Sequence, residues 1–228
     1  LDHMFLRPPE AALKCTQRLC KLALNYNRRL HLLHITTKEE VLYLSKLPKN
    51  NIITAEACIP HLFSYAPNIY DKYDTFAQVN PPIRGKEHFD AIRSGLLDGT
   101  LSFVSTDHAP HEYELKAAPF GTAPSGTPSI QYALPLLLDG IHQGNWSLEQ
   151  VIQWYATKPA QHISQHNIGQ LKTGNLAQVV LIDLNGKTQV DPKTAFSQAK
   201  NSLWDHQTLK GRVLATIHNG QLAYREES

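Results

Sequence analysis

Residues 104–113 read VSTDHAPHEY. An apolar run, LSFVS at 101–105, gives way at once to Asp107, His108, a proline and His111. A carboxylate leaving an apolar strand is costly to bury unpaired, so it calls for a metal, a cation or several hydrogen-bond donors. Aspartate and histidine are also side chains that hold divalent metals and move protons in hydrolysis. Two other apolar runs end in a similar way. HLLHIT carries His34 near its end, and TAEACIPH carries His61 just beyond. A single strand-end histidine is more often a hydrogen-bonded structural residue than a ligand, so the carboxylate is the stronger signal.

The elements that must aim these residues follow from spacing. Arg7-Pro8-Pro9 starts a helix expected over 9–27, with Ala12, Cys15, Leu19, Ala23 and Tyr26 on its inward face. A short strand over 29–36 precedes a helix over 37–47 begun by a threonine cap. NIITAEACI (51–59) is a second strand, rich in β-branched residues. A proline-bearing loop with NPPIR (80–84) leads to a helix over 86–99 closed by glycine, and LSFVST (101–106) is the third strand. Apolar strands alternating with helices predict parallel strands covered by helices, with ligands at the strands' carboxyl ends. After a Pro- and Gly-dense loop (118–129), two helices are expected around 129–142 and 147–156. From about 176 the texture turns to β, with QVVLIDL (178–184) and a hairpin over 211–224 around Asn219-Gly220. The expected division is therefore 1–175 and a small β segment, 176–228.

Composition bounds the function classes. The 228 residues are 42% hydrophobic and 18% charged, enough for a sizeable core. Lys plus Arg number 22 against 20 Asp plus Glu, a balance that gives no electrostatic footprint for nucleic acid or an anionic membrane. No apolar run approaches the roughly 18 residues that span a bilayer. The start, LDHMFLRPPE, carries no apolar signal region. Cys15, Cys20 and Cys58 form no metal-spaced pair, which points to reduced thiols and a cytoplasmic setting. Glu112, Glu114 and Lys116 are read as a solvated face, His31 as core packing, and His108 as packing or support behind Asp107.

STDHAPH, with HLLHIT, TAEACIPHL, VNPPIR and PFGTAPSG around it, resembles the dihydroorotases, cyclic amidohydrolases of the metal-dependent amidohydrolase superfamily. The resemblance runs from RPPEAA to the closing hairpin. It implies an α/β fold, the C-terminal part of a (β/α)8 TIM-type barrel beside a small β-sandwich, with HLLHIT, NIITAEAC and LSFVSTD as strands six to eight. It also implies a two-zinc site with His34 and Asp107 as metal ligands and Asp107 as general base and acid. Asn80, His111, Phe120 and Gly121 match residues that contact the substrate. The implied reaction interconverts dihydroorotate and N-carbamoyl-L-aspartate in pyrimidine biosynthesis. A hydantoinase, dihydropyrimidinase or allantoinase shares His34 and Asp107 but differs at the positions of Asn80 and His111. A non-catalytic scaffold homologue would need neither His34 nor Asp107.

A TIM-type barrel has eight strands in about 250 residues, and three are expected here. The first-strand His-x-His pair and its arginine, the fourth-strand bridging residue and the fifth-strand histidine have no counterpart; the nearest pair, HLLH (31–34), has other spacing. Gln178 stands where relatives carry aspartate, and CIPHL replaces a paired histidine. The expected partners are therefore a small-molecule substrate, the N-terminal half of the same enzyme, and further copies in a homo-oligomer.

Overall fold

Three short strands, β1 (Leu30–Leu32), β2 (Ile53–Cys58) and β3 (Phe103–Ser105), pair in the order β1-β2-β3, both pairs parallel. Leu32 stands opposite Ala55, and Cys58 opposite Ser105. The computed structural model that shows this describes residues 2–48 and 52–226. The chain divides into two compact units. One runs up to Ile130 and includes Ala195–Leu203; the other takes Gln131–Thr194 and the chain from Trp204 on.

The first unit holds the parallel sheet. β2 is buried along Ala55, Glu56, Ala57 and Cys58, the pattern of a central parallel strand covered on both faces. The helices Lys38–Leu44 and Lys86–Leu97 link the strands. Thr37 caps the first of them as the sequence implies. Its hydroxyl accepts the Glu40 N–H at 3.1 Å, and the Glu40 carboxylate accepts the Thr37 N–H at 3.2 Å. A Cβ on Gly95 would lie 2.8 Å from a Val41 methyl, so glycine is what lets these two helices approach.

The helix expected over 9–27 forms as Pro9–Asn25, but it is rotated from the expected register. Its buried residues are Thr16, Cys20 and Ala23; Cys15 and Tyr26 are exposed. The Thr16 hydroxyl donates to Glu40 at 2.7 Å, so a polar anchor, not the largest apolar side chains, selects the inward face.

All three strands are shorter than the apolar runs that encode them. His34 and Asp107 therefore lie past the hydrogen-bonded ladder, where the backbone is free to turn. Beneath them a buried polar group interrupts the sheet interior. Glu56 accepts a hydrogen bond from His31 Nε2 at 2.9 Å, and His31 Nδ1 meets the Thr54 hydroxyl at 2.8 Å. The His31 ring stacks on Phe103 at 4.8 Å.

In the second unit β4 (Val179–Gln189), β5 (Thr208–His218) and β6 (Gln221–Arg225) form an antiparallel sheet. Asn219 and Gly220 take φ of 52° and 77°, the paired left-handed turn that closes such hairpins. The helix Ile130–His142 lies against β5, with Asp139 accepting the Lys210 N–H at 2.8 Å. Among the described residues no helix is long and apolar enough to cross a membrane.

Glu56→Leu removes the His31–Glu56 pair from a mostly buried site. We expect it to lower stability by about 1–3 kcal/mol, read as a lower denaturation midpoint in the complete protein. An unchanged midpoint would show that the pair contributes nothing.

Candidate active site

His34 follows β1 by two residues and Asp107 follows β3 by two residues, so both leave the carboxyl end of the parallel sheet, on the two strands that flank β2. Both have left-handed backbone, with φ of 41° and 47°. Such a conformation is uncommon outside glycine and clusters where a site over-determines the backbone. The His34 N–H points to the Glu56 carboxylate at 3.4 Å, a long contact. Burial pushes the Asp107 carboxyl above its ordinary range; the nearby His34 pulls it down, and the Glu56 charge pushes it up further. The half-buried carboxylate accepts no hydrogen bond among the described residues. Glu56 differs. Burial would raise its carboxyl, but hydrogen bonds from His31 and Ser105 and the His31 charge hold it below the usual range. Cys58 Sγ lies 3.0 Å from the Ser105 hydroxyl, and burial pushes its thiol well up, as befits an inert packing group.

The second set of predicted residues sits on two loops. Asn80 is exposed. The carbonyl of the next residue, Pro81, accepts a hydrogen bond from His61 Nε2 at 2.8 Å. His61 is only 2% exposed and its Nδ1 has no partner. Burial pushes it down to about 4, against the Pro81 hydrogen bond, with help from the His34 and Arg84 charges. It is thus a neutral prop beneath the Asn80 turn, not a group on the open face. His111 is half-buried and its Nε2 donates to the Ser125 carbonyl at 3.1 Å. Phe120 is 41% exposed, and Gly121 is exposed with φ of 94°. His108 turns away from the site, its Nδ1 accepting the Ser129 and Ile130 N–H groups at 3.0 and 3.3 Å. A cavity of about 280 Å³ beside Phe120 is lined by His3, Asp71, Asp74 and Gln78, among others, and includes neither His34 nor Asp107.

Two residues escaped the sequence reading. Glu56 is a charge in the middle of an apolar strand, and the reasoning applied to Asp107 would have marked it. Lys116, expected on a solvated face, is 1% exposed. Its neighbours Glu112 and Glu114 are exposed as expected.

His34 and Asp107 have the donor chemistry that zinc takes. Among the described residues, however, no three His, Cys, Asp or Glu side chains converge to hold a metal. A catalytic zinc needs about three protein ligands. His34 and Asp107 could supply two such ligands.

Parallel strands linked by helices thus present a histidine and a carboxylate at their carboxyl end. Residues 27–223 match the amidohydrolase family, and the chain belongs to it. The superfamily's fold is a TIM-type barrel. The narrower likeness is to dihydroorotases. That of Bacillus pumilus is 37% identical over 88% of this chain and 47% of its own length. That of Syntrophotalea carbinolica is 36% identical over 96% of this chain and 51% of its own. Among solved structures, the L-hydantoinase (dihydropyrimidinase) from Arthrobacter aurescens matches with a TM-score of 0.90 at 23% identity, over 97% of this chain and 50% of that one. Dihydropyrimidinase from Brevibacillus agri matches at 0.90 and 25%, over 98% of this chain and 50% of that one. The chain spans about half the length of the curated relatives it matches.

His61 titrates near 6.5 when unfolded and at about 4 in place, so the unfolded chain binds the extra proton first as pH falls. Its contribution to stability is whole above pH 6.5 and is lost towards pH 4, on the order of 3 kcal/mol in all. Between pH 7 and 5 the complete enzyme should therefore lose more stability than its His61→Gln variant in paired denaturant titrations. Parallel pH profiles would show that His61 is charged or solvated in the fold.

Proposed function

We propose that the chain is the C-terminal part of a zinc-dependent dihydroorotase, which opens (S)-dihydroorotate to N-carbamoyl-L-aspartate and closes it again in cytoplasmic pyrimidine biosynthesis. The observation that carries this reading is the Asp107 carboxylate: half-buried, without a hydrogen bond among the described residues, and near His34 at the carboxyl end of a parallel sheet. The dihydroorotase names of the curated relatives support the substrate. In this reading β1, β2 and β3 are barrel strands six to eight, residues 1–175 belong to the barrel and 176–228 to a small β-sandwich segment.

His34 and Asp107 would each hold one of two zinc ions, with the remaining ligands from the N-terminal half. Zinc held there would supply a water acidic enough to ionise near neutral pH and a Lewis acid for the ring amide carbonyl. Asp107 takes the proton of the attacking water and returns it to the ring nitrogen as the carbon–nitrogen bond breaks. Its left-handed backbone turns the carboxylate off the strand axis. Asn80, His111 and the loop of Phe120 and Gly121 hold the ring and its carboxylate. The complete enzyme is a homo-oligomer in this reading.

In the complete enzyme Asp107→Asn should lower kcat by roughly 10²–10⁴-fold with the protein still folded. Turnover within a few-fold of the parent would remove Asp107 from the base role. Asn80→Ala and His111→Ala should each weaken substrate use with zinc content unchanged; zinc loss in either would mean that the residue supports the metals. A substrate panel separates the alternatives, since preference for hydantoin, dihydrouracil or allantoin would make the enzyme another cyclic amidohydrolase, and no turnover of any would favour the scaffold.

A further inference from the structure

Lys116, at the end of the short helix Tyr113–Lys116, is 1% exposed and makes no ion pair among the described residues. A buried ammonium without a counter-charge is expensive, and packing alone would be met by leucine or methionine at no such cost. Burial pushes its pKa down to about 8, a measure of that cost. What the ammonium does is tie two distant carbonyls. Nζ donates to Gln78 at 2.9 Å and to Pro124 at 3.0 Å.

These bonds belong to a larger knot. The Thr75 hydroxyl donates to the Lys116 carbonyl at 2.6 Å. The Gln78 side-chain amide donates to the Ala123 carbonyl at 2.7 Å and the Ser125 hydroxyl at 3.1 Å. The Gly126 N–H donates to the Gln78 carbonyl at 2.9 Å, so that carbonyl serves both Gly126 and the ammonium. Three strands of chain leave the knot. Gln78 leads in two residues to Asn80. The Ser125 carbonyl holds His111. The stretch between Lys116 and Ala123 is the loop of Phe120 and Gly121.

We propose that Lys116 is a positioning residue that sets the spacing between the Asn80 turn and the loops of His111 and Phe120, and so governs substrate affinity without touching the metals. The inference rests on the substrate-contact roles proposed above. It predicts a separation between substrate binding and metal binding that a merely core-filling lysine would not produce. None of the knot's hydrogen bonds involves His34 or Asp107, so disturbing it should leave both ligands in place.

The test is Lys116→Met in the complete, zinc-loaded enzyme. Methionine keeps the length and apolar stem and removes the donors. A loop misplaced by about 1 Å is enough to cost 10–100-fold, so KM for dihydroorotate should rise by about tenfold or more, with kcat within about threefold and zinc content unchanged. Gln78→Met cuts the companion tie and leaves the cation in place. It should give the same split, and it decides the matter if Lys116→Met does not fold. KM within about twofold of the parent in the folded Lys116→Met enzyme, or in Gln78→Met where the first does not fold, would overturn the proposal, as would loss of zinc. If the parent enzyme opens a different cyclic amide, the dihydroorotase reading fails, and the same split measured with that amide still judges Lys116.

Discussion

Charge at the end of an apolar strand is the constraint on which the rest of the structure depends. Asp107 leaves β3 from among buried residues and finds no donor among its described neighbours. One strand away, Glu56 is buried more deeply and is satisfied by His31, Ser105 and the His34 backbone. The two acids have opposite outcomes for a physical reason. Glu56 has partners that favour its ionised form, so it is structural. Asp107 has a histidine that favours its ionised form, but burial and a like charge that oppose it prevail. The left-handed turns at His34 and Asp107 belong to the same arrangement, since they follow the strand ladder at the carboxyl end of the sheet.

The supports around this end of the sheet are polar and at least partly buried. His61 holds the Pro81 carbonyl, His108 receives the first N–H groups of the helix that begins at Ile130, and Lys116 gathers Gln78 and Pro124. Each spends a hydrogen bond on fixing a loop. Because the interior is of low polarity, each such bond is firm when made and costly when broken. The loops that carry Asn80, His111 and Phe120 are thereby fixed from beneath, which leaves their outer faces open.

Much of this was legible in the sequence where a residue has a strong local reason for its place. The Thr37 cap, the Asn219-Gly220 turn, the strand-helix alternation and the polar strand ends all follow from backbone chemistry, and all appear. The illegible parts depend on partners far along the chain. The inward face of Pro9–Asn25 is chosen by a hydrogen bond from Thr16 to Glu40, which no helical spacing reveals. Lys116 lies in a sequence of charged neighbours, and only the carbonyls of Gln78 and Pro124 make its burial tolerable. Glu56 was legible in principle, because an acid inside an apolar strand raises the same question as one at its end.

In the proposed reading His34 and Asp107 each bind a zinc ion at the carboxyl end of the sheet, with further ligands from outside this chain. An anomalous difference map at the zinc edge, from crystals of the complete enzyme, addresses it directly. The account predicts two peaks, one about 2.0–2.1 Å from a His34 ring nitrogen and one about 2.0–2.2 Å from an Asp107 carboxylate oxygen. Zinc bound elsewhere, with His34 and Asp107 both free of metal, would contradict it.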